Sequence, residues 1–68
     1  MEFKKGDIVK DIGTWDKGAI GKIIIFDRFW YEWYEVYWLT GACIGTKTQI
    51  NASNLMKITE NEALPYLI

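Results

Sequence analysis

The side chains of this 68-residue chain that could do acid–base or nucleophilic chemistry are carboxylates, lysine amines, hydroxyls and one thiol; the sequence contains no histidine. Glu32 and Glu35 flank an aromatic segment, and two neighbouring carboxylates can act as general acid and base. Neither a histidine base nor a phosphate-cradling glycine motif accompanies them. We therefore predict a protein that is not an enzyme, with no catalytic residue and no small-molecule substrate.

The single cysteine, Cys43, stands between Ala42 and Ile44, and we interpret it as a small apolar filler. One thiol cannot form a disulfide within the chain, which is typical of a reducing compartment. A zinc site of the usual ligand types needs more cysteine or histidine than the sequence contains. We expect neither a metal nor a cofactor.

The elements that would position a binding site are predicted to be short strands, separated by turn residues. Gly21 is expected to mark a bulge or bend in the second strand, where Ile20, Ile23 and Ile25 are the expected core residues. In the third strand, a period of two places Tyr34, Val36 and Trp38 on the core face. The predicted strands are Asp7–Asp11, Ala19–Phe26, Tyr34–Leu39, Thr46–Ile50 and Leu55–Ile58.

The end of the chain is apolar and follows a helix-start signal. Thr59 and Glu62 fit a capping box, which predicts one helical turn that Pro65 then ends. The tail either folds back over the barrel end or docks on another chain. Its candidate docking residues are Leu64, Tyr66, Leu67 and Ile68. We divide the chain into a barrel, residues 1–58, and a C-terminal turn and apolar tail, residues 59–68.

Four segments carry a resemblance to a known fold: Lys5–Val9, Gly18–Ile23, Tyr34–Trp38 and Asn54–Ile58. In this order they resemble an SH3-like barrel of the KOW or Tudor type. The Gly-Asp start, the Gly-x-Ile-Gly-x-Ile strand and the Tyr-x-Val-x-Trp strand are also similar to short proteins of tailed phages that infect marine cyanobacteria. The resemblance implies an all-β, five-stranded SH3-like barrel with a short C-terminal turn or tail. Such barrels bind peptides, nucleic acids or larger protein assemblies, and the fold alone does not choose among them.

Aromatic residues are the main candidates for a binding surface, because eight of them fall within residues 26–38. A barrel this small cannot bury so many large rings from one hairpin, so the excess is expected to contact a partner. Core packing with cross-strand pairs and a cage for a methylated ammonium group remain alternatives. The predicted partner-binding residues are Trp15, Phe29, Trp30, Tyr31, Trp33 and Tyr37, and for Trp15 the alternative is a side chain that plugs the barrel interior.

The charge pattern bears on a second hypothesis, that the chain binds nucleic acid. The net charge is −1, and aspartates alternate with the basic residues of the first half, which favours an ordinary solvated surface. If the basic residues gather on one side, Lys17, Lys22 and Arg28 would contact nucleic acid.

The leading interpretation is a protein-binding or assembly module that associates with a partner or with itself, and the resemblance adds a phage accessory protein as one form of it. The alternatives are a nucleic-acid-binding module of the KOW or Tudor kind and a non-catalytic subunit or inhibitor of a host enzyme. The first residues lack the apolar centre of a signal peptide, and no apolar run approaches the about 20 residues of a spanning helix. We therefore expect a cytoplasmic protein without a membrane partner, in the host cytoplasm if the source is viral.

Overall fold

The structure, a computed structural model, describes residues 3–26 and 32–67. Its strands lie close to the predicted positions, and most bounds differ by only one residue. The elements are β1 Ile8–Asp11, β2 Ile20–Phe26, β3 Trp33–Trp38, β4 Lys47–Asn51, a 3₁₀ helix Ala52–Asn54, β5 Leu55–Lys57 and α1 Glu60–Leu67.

The described strands form one antiparallel sheet in the order β4-β3-β2-β1-β5. The chain meanders from β1 to β4, and the 3₁₀ helix then leads β5 back to pair with β1. Because β4 and β5 lie at opposite edges, the described strands make an open sheet rather than the predicted closed barrel. The predicted C-terminal turn or tail is the helix α1, so the fold is mostly β rather than all-β.

The inner face of the sheet carries the larger apolar cluster. The predicted alternation of β3 is confirmed, since Tyr34, Val36 and Trp38 are buried. Ile23 joins them, whereas Ile20 is only half-buried and packs with the smaller cluster on the other face. The side chain of Ile25 lies outside the described residues. The buried members of the inner cluster are Phe3, Val9, Ala19, Ile23, Tyr34, Val36, Trp38, Ile50, Ala52 and Leu55.

The bulge predicted at Gly21 lies instead between Ile23 and Ile25, where the register of β2 against β3 shifts. Gly21 has a different role, because a Cβ atom there would lie 2.3 Å from Val36 Cγ1 and 2.9 Å from Trp38 Cε3. The missing side chain makes room for the valine and the indole to pack directly on the strand. Steric fit, rather than backbone irregularity, therefore explains this glycine.

The outer face of the sheet is partly covered by α1. Ala63 is buried against Ile8 and Ile58, and Tyr66 packs beside them. The capping box is confirmed, because the Glu62 amide donates to Thr59 Oγ1 at 3.3 Å. No helix in the described ranges is long and apolar enough to cross a membrane.

The predicted stop at Pro65 is wrong, because this residue lies inside α1. Proline lacks the N–H that would bond to the carbonyl four residues earlier, but the helix ends two residues later. Only one bond of a short helix is lost, so the helical turn continues through it.

Candidate binding surfaces

Two loops at one end of the sheet are tied together by aspartates. Asp11, at the end of β1, is only 2% exposed, and its carboxylate accepts from the amides of Gly13 and Thr14 at 3.1 and 2.9 Å. The Thr14 hydroxyl donates to the same carboxylate. Asp16 Oδ2 accepts from the Ala42 amide at 3.1 Å, which links the β1–β2 loop to the β3–β4 turn. The loop that carries Trp15 is therefore held at both sides.

Trp15 is 79% exposed in this loop, and Ile44, in the β3–β4 turn, is 63% exposed. Beside Trp15 lies a pocket of ≈230 Å³, and the charged groups that line it are Asp11 and Asp16. Trp38 Nε1 donates to Thr48 Oγ1 at 2.7 Å, which fixes two further residues of the pocket wall. We call Trp15, Ile44 and this pocket the loop-end surface. The lining residues are Asp11, Thr14, Trp15, Asp16, Trp38, Cys43, Thr48, Gln49 and Ile50.

A second surface lies on the outer face of the sheet, where Trp33 and Tyr37 of β3 are each 38% exposed. Tyr37 is the register partner of Lys22 on β2 and of Lys47 on β4. Directly opposed residues share a face of a sheet, so Tyr37 lies between two lysines on this face. Glu35 occupies the next outer position along β3 and is half-buried.

A groove of ≈530 Å³ runs beside Tyr37 and carries no carboxylate in its lining. The N-terminal turn forms one wall, because the Gly6 amide donates to the Ile23 carbonyl at 2.8 Å and so holds Lys5 over the groove. Gly6 has φ +94°, a conformation that favours glycine. We call this feature, together with Lys47, the lysine groove. Its lining residues are Lys5, Gly6, Lys22, Ile23, Ile24 and Tyr37.

The predicted partner-binding residues fall into three groups. Trp15 belongs to the loop-end surface, and Trp33 and Tyr37 belong to the outer face. Phe29, Trp30 and Tyr31 lie outside the described residues, as do Arg28 and Ile68.

The predicted nucleic-acid contacts do not all lie on one surface, and neither do the predicted docking residues of the tail. Lys22 lines the groove, whereas Lys17 is exposed in the β1–β2 loop. In the tail, Tyr66 packs on the sheet, while Leu64 and Leu67 are each 55% exposed.

Ile44 was not predicted as a site residue, and Lys5 and Lys47 were expected only among the basic residues that could gather on one side. An apolar residue between Gly41 and Gly45 was a usable sequence signal for Ile44, since glycines with φ +90° and +81° place it in a turn. The place of the two lysines beside Tyr37 could not be assigned, because it depends on strand register and on the N-terminal turn.

The groups considered for catalysis, the two carboxylates and the thiol, do not share a pocket within the described residues. Glu32 lines a crevice with Ala52 and Leu55 that does not include Glu35. Cys43 is half-buried and packs against the inner cluster, as a filler residue would. Within residues 3–26 and 32–67, no group of three or more histidine, cysteine or acidic residues could hold a metal ion.

Comparisons with known proteins add no family assignment. No protein-family model matches the chain, and neither the curated proteins nor the solved structures give a significant match.

Proposed function

We propose that this chain is a non-catalytic protein-binding module with an SH3-like arrangement of strands, and that the loop-end surface contacts the partner. The observation that carries the proposal is Trp15, an indole left 79% exposed on a loop that internal hydrogen bonds hold in place. Exposing a large aromatic ring to water is unfavourable, and tryptophan is among the residues that dominate binding energy at protein interfaces.

The path of the chain supports the SH3-like arrangement. β2 pairs with β1 through Ile20–Lys22 and with β3 through Gly21–Phe26, so one strand serves both halves of the sheet. β5 returns beside β1 after the 3₁₀ helix, which brings the last strand next to the first. A sheet that curls into a small barrel needs such a shared strand and such a return.

Binding at this surface would work by burying the Trp15 ring and filling the neighbouring pocket. The hydrogen bonds to Asp11 and Asp16 order the loop before the partner arrives, which lowers the entropic cost of association. The ≈230 Å³ pocket has room for one side chain of the partner. Because its charged lining groups are carboxylates, a segment with a basic residue next to an apolar one fits best.

The proposal is tested by selecting peptides from a random display library on the immobilised chain. Peptides enriched on the wild-type protein should be lost on Trp15→Ala and kept on Trp33→Leu, which removes an indole from the outer face of the sheet. Their binding should change the tryptophan emission of the wild-type protein and weaken in Asp16→Asn. Equal enrichment on wild-type and Trp15→Ala protein, or none on either, would show that the loop-end surface is not a protein-binding site.

A further inference from the structure

We infer that two copies of this chain associate through their outer faces, with α1 of each copy lying in the lysine groove of the other. This interface does not use the loop-end surface, so the dimer and the proposed partner site can be tested independently. The inference rests on two complementary surfaces that lie side by side on one face.

The first surface is basic and aromatic. Lys5 and Lys22 line the groove beside Tyr37, and Lys47 is the register partner of Tyr37 on the other neighbouring strand. All three lysines are exposed, and Ile24 adds an apolar wall. The surface therefore suits an occupant with apolar side chains next to a carboxylate.

The second surface is an exposed stripe of α1 that borders the crevice between the helix and the sheet, and it has that composition. Glu60, Leu64 and Leu67 recur at the spacing of one helical face, and both leucines are 55% exposed. Ala63 and Tyr66 face the sheet instead. The Glu62 carboxylate accepts from the Thr59 hydroxyl at 3.0 Å, so Glu60 is the acidic residue of the exposed stripe.

The two surfaces are adjacent. A crevice of ≈120 Å³ between α1 and the sheet is lined by Gly6, Glu60 and Leu67 among others, and Gly6 also lines the lysine groove. When complementary surfaces lie side by side on one face, a two-fold rotation brings each against its counterpart on a second copy. The pairing is then closed and does not extend into a filament.

The dimensions agree with this pairing. An eight-residue helix is about 12 Å long. Lys22 and Lys47 lie on strands separated by two strand spacings, about 10 Å. Placed across the strands, α1 would bring Glu60 to one lysine and its two leucines onto Tyr37 and Ile24.

A second copy fits the charge of the chain better than nucleic acid does. The net charge of −1 gives no long-range attraction for a polyanion. A short acidic helix needs only local complementarity, which acts within the Debye length of about 8 Å at physiological salt. A domain of this size also buries only about 60% of its unfolded surface, so a second copy adds apolar burial that the single chain lacks.

The test is a charge swap followed by sedimentation velocity at about 10 μM to about 1 mM, a range suited to a small interface. The wild-type chain should dimerise. Lys22→Glu and Glu60→Lys should each weaken the dimer roughly tenfold, because each change acts twice in a two-fold interface. Mixing the two variants should restore a dimer, since every groove then meets a helix of opposite charge. Lys17→Glu, an equal charge change in the β1–β2 loop, should leave the dimer unchanged.

Leu64→Gln provides a second variant at a position that contributes little to the fold, and it should also reduce dimerisation. A wild-type chain that stays monomeric over the whole range overturns the inference, as does a mixture that dimerises no better than its components. Titration with a labelled single-stranded oligonucleotide checks the competing occupant. A monomer that binds the oligonucleotide, and loses it in Lys22→Glu, would assign the groove to nucleic acid instead.

Discussion

Replacing Gly21 by alanine should destabilise the protein through one identifiable collision. The new Cβ would lie 2.3 Å from Val36 Cγ1, about 1.2 Å closer than the usual lower limit of 3.5 Å for carbon atoms in contact. Overpacking a core in this way costs about 1–3 kcal/mol. Alanine offsets about 0.5–1 kcal/mol of this loss in the free energy of unfolding, because glycine is unfavourable within a strand. These ranges combine to a net loss in the free energy of unfolding of about 0–2.5 kcal/mol, and a separation as short as 2.3 Å places the expected loss in the upper half, at about 1–2 kcal/mol.

Urea denaturation followed by tryptophan fluorescence measures this loss. For a small domain with a slope of about 1 kcal/mol/M, the midpoint should fall by about 1–2 M. Such a domain has a stability of only about 3–5 kcal/mol, so all variants are compared in the same concentration of a stabilising osmolyte.

A double-mutant cycle identifies the collision as the cause. Val36→Ala removes the Cγ1 atom, so Gly21→Ala should cost less in that background, with a coupling of about 1 kcal/mol. Gly18→Ala is the matched control, because Gly18 has φ +98° and open space around its Cα. Its cost comes from the backbone and should be the same in both backgrounds. A Gly21→Ala protein as stable as the wild type, or a cost independent of Val36, would refute the steric explanation.

Two other substitutions test the loop and the helix. Asp11→Ala should lower the free energy of unfolding by about 1–3 kcal/mol in urea melts, because the Gly13 and Thr14 donors lose their acceptor. Asp16→Ala should cost less than about 1 kcal/mol, since its bond to Ala42 is exposed, and equal losses would contradict this ranking. Pro65→Ala should stabilise α1, by up to about 3 kcal/mol, and raise its helical signal in far-UV circular dichroism. An unchanged spectrum and melt would show that the proline does not strain this helix.

The strands could be predicted because their signals are local. The β-branched run of β2 and the alternation of Tyr34, Val36 and Trp38 follow directly from the sequence. The capping box at Thr59 is equally local. These features need only neighbours along the chain, and the structure places them within a residue or two of their predicted positions.

The candidate binding surfaces could not be predicted with the same completeness, because they depend on contacts between distant segments. The proximity of Tyr37 to Lys22 and Lys47 follows from two strand registers, and the place of Lys5 follows from a single backbone hydrogen bond. Gly21 was interpreted as a bend for the same reason. Its real neighbours, Val36 and Trp38, lie on another strand and are not visible from the local sequence.

The loop-end pocket and the lysine groove open on opposite faces of β3, since Trp38 lines one and Tyr37 lines the other. Two copies joined through their lysine grooves would therefore leave both loop-end pockets open. The dimer would then present two identical binding sites. A ligand with repeated target segments would bind the dimer with avidity, since the second site binds at a high effective concentration once the first is occupied. The occupancy of such a repetitive ligand would rise more steeply with the concentration of this protein than it would for a monomer with one binding site.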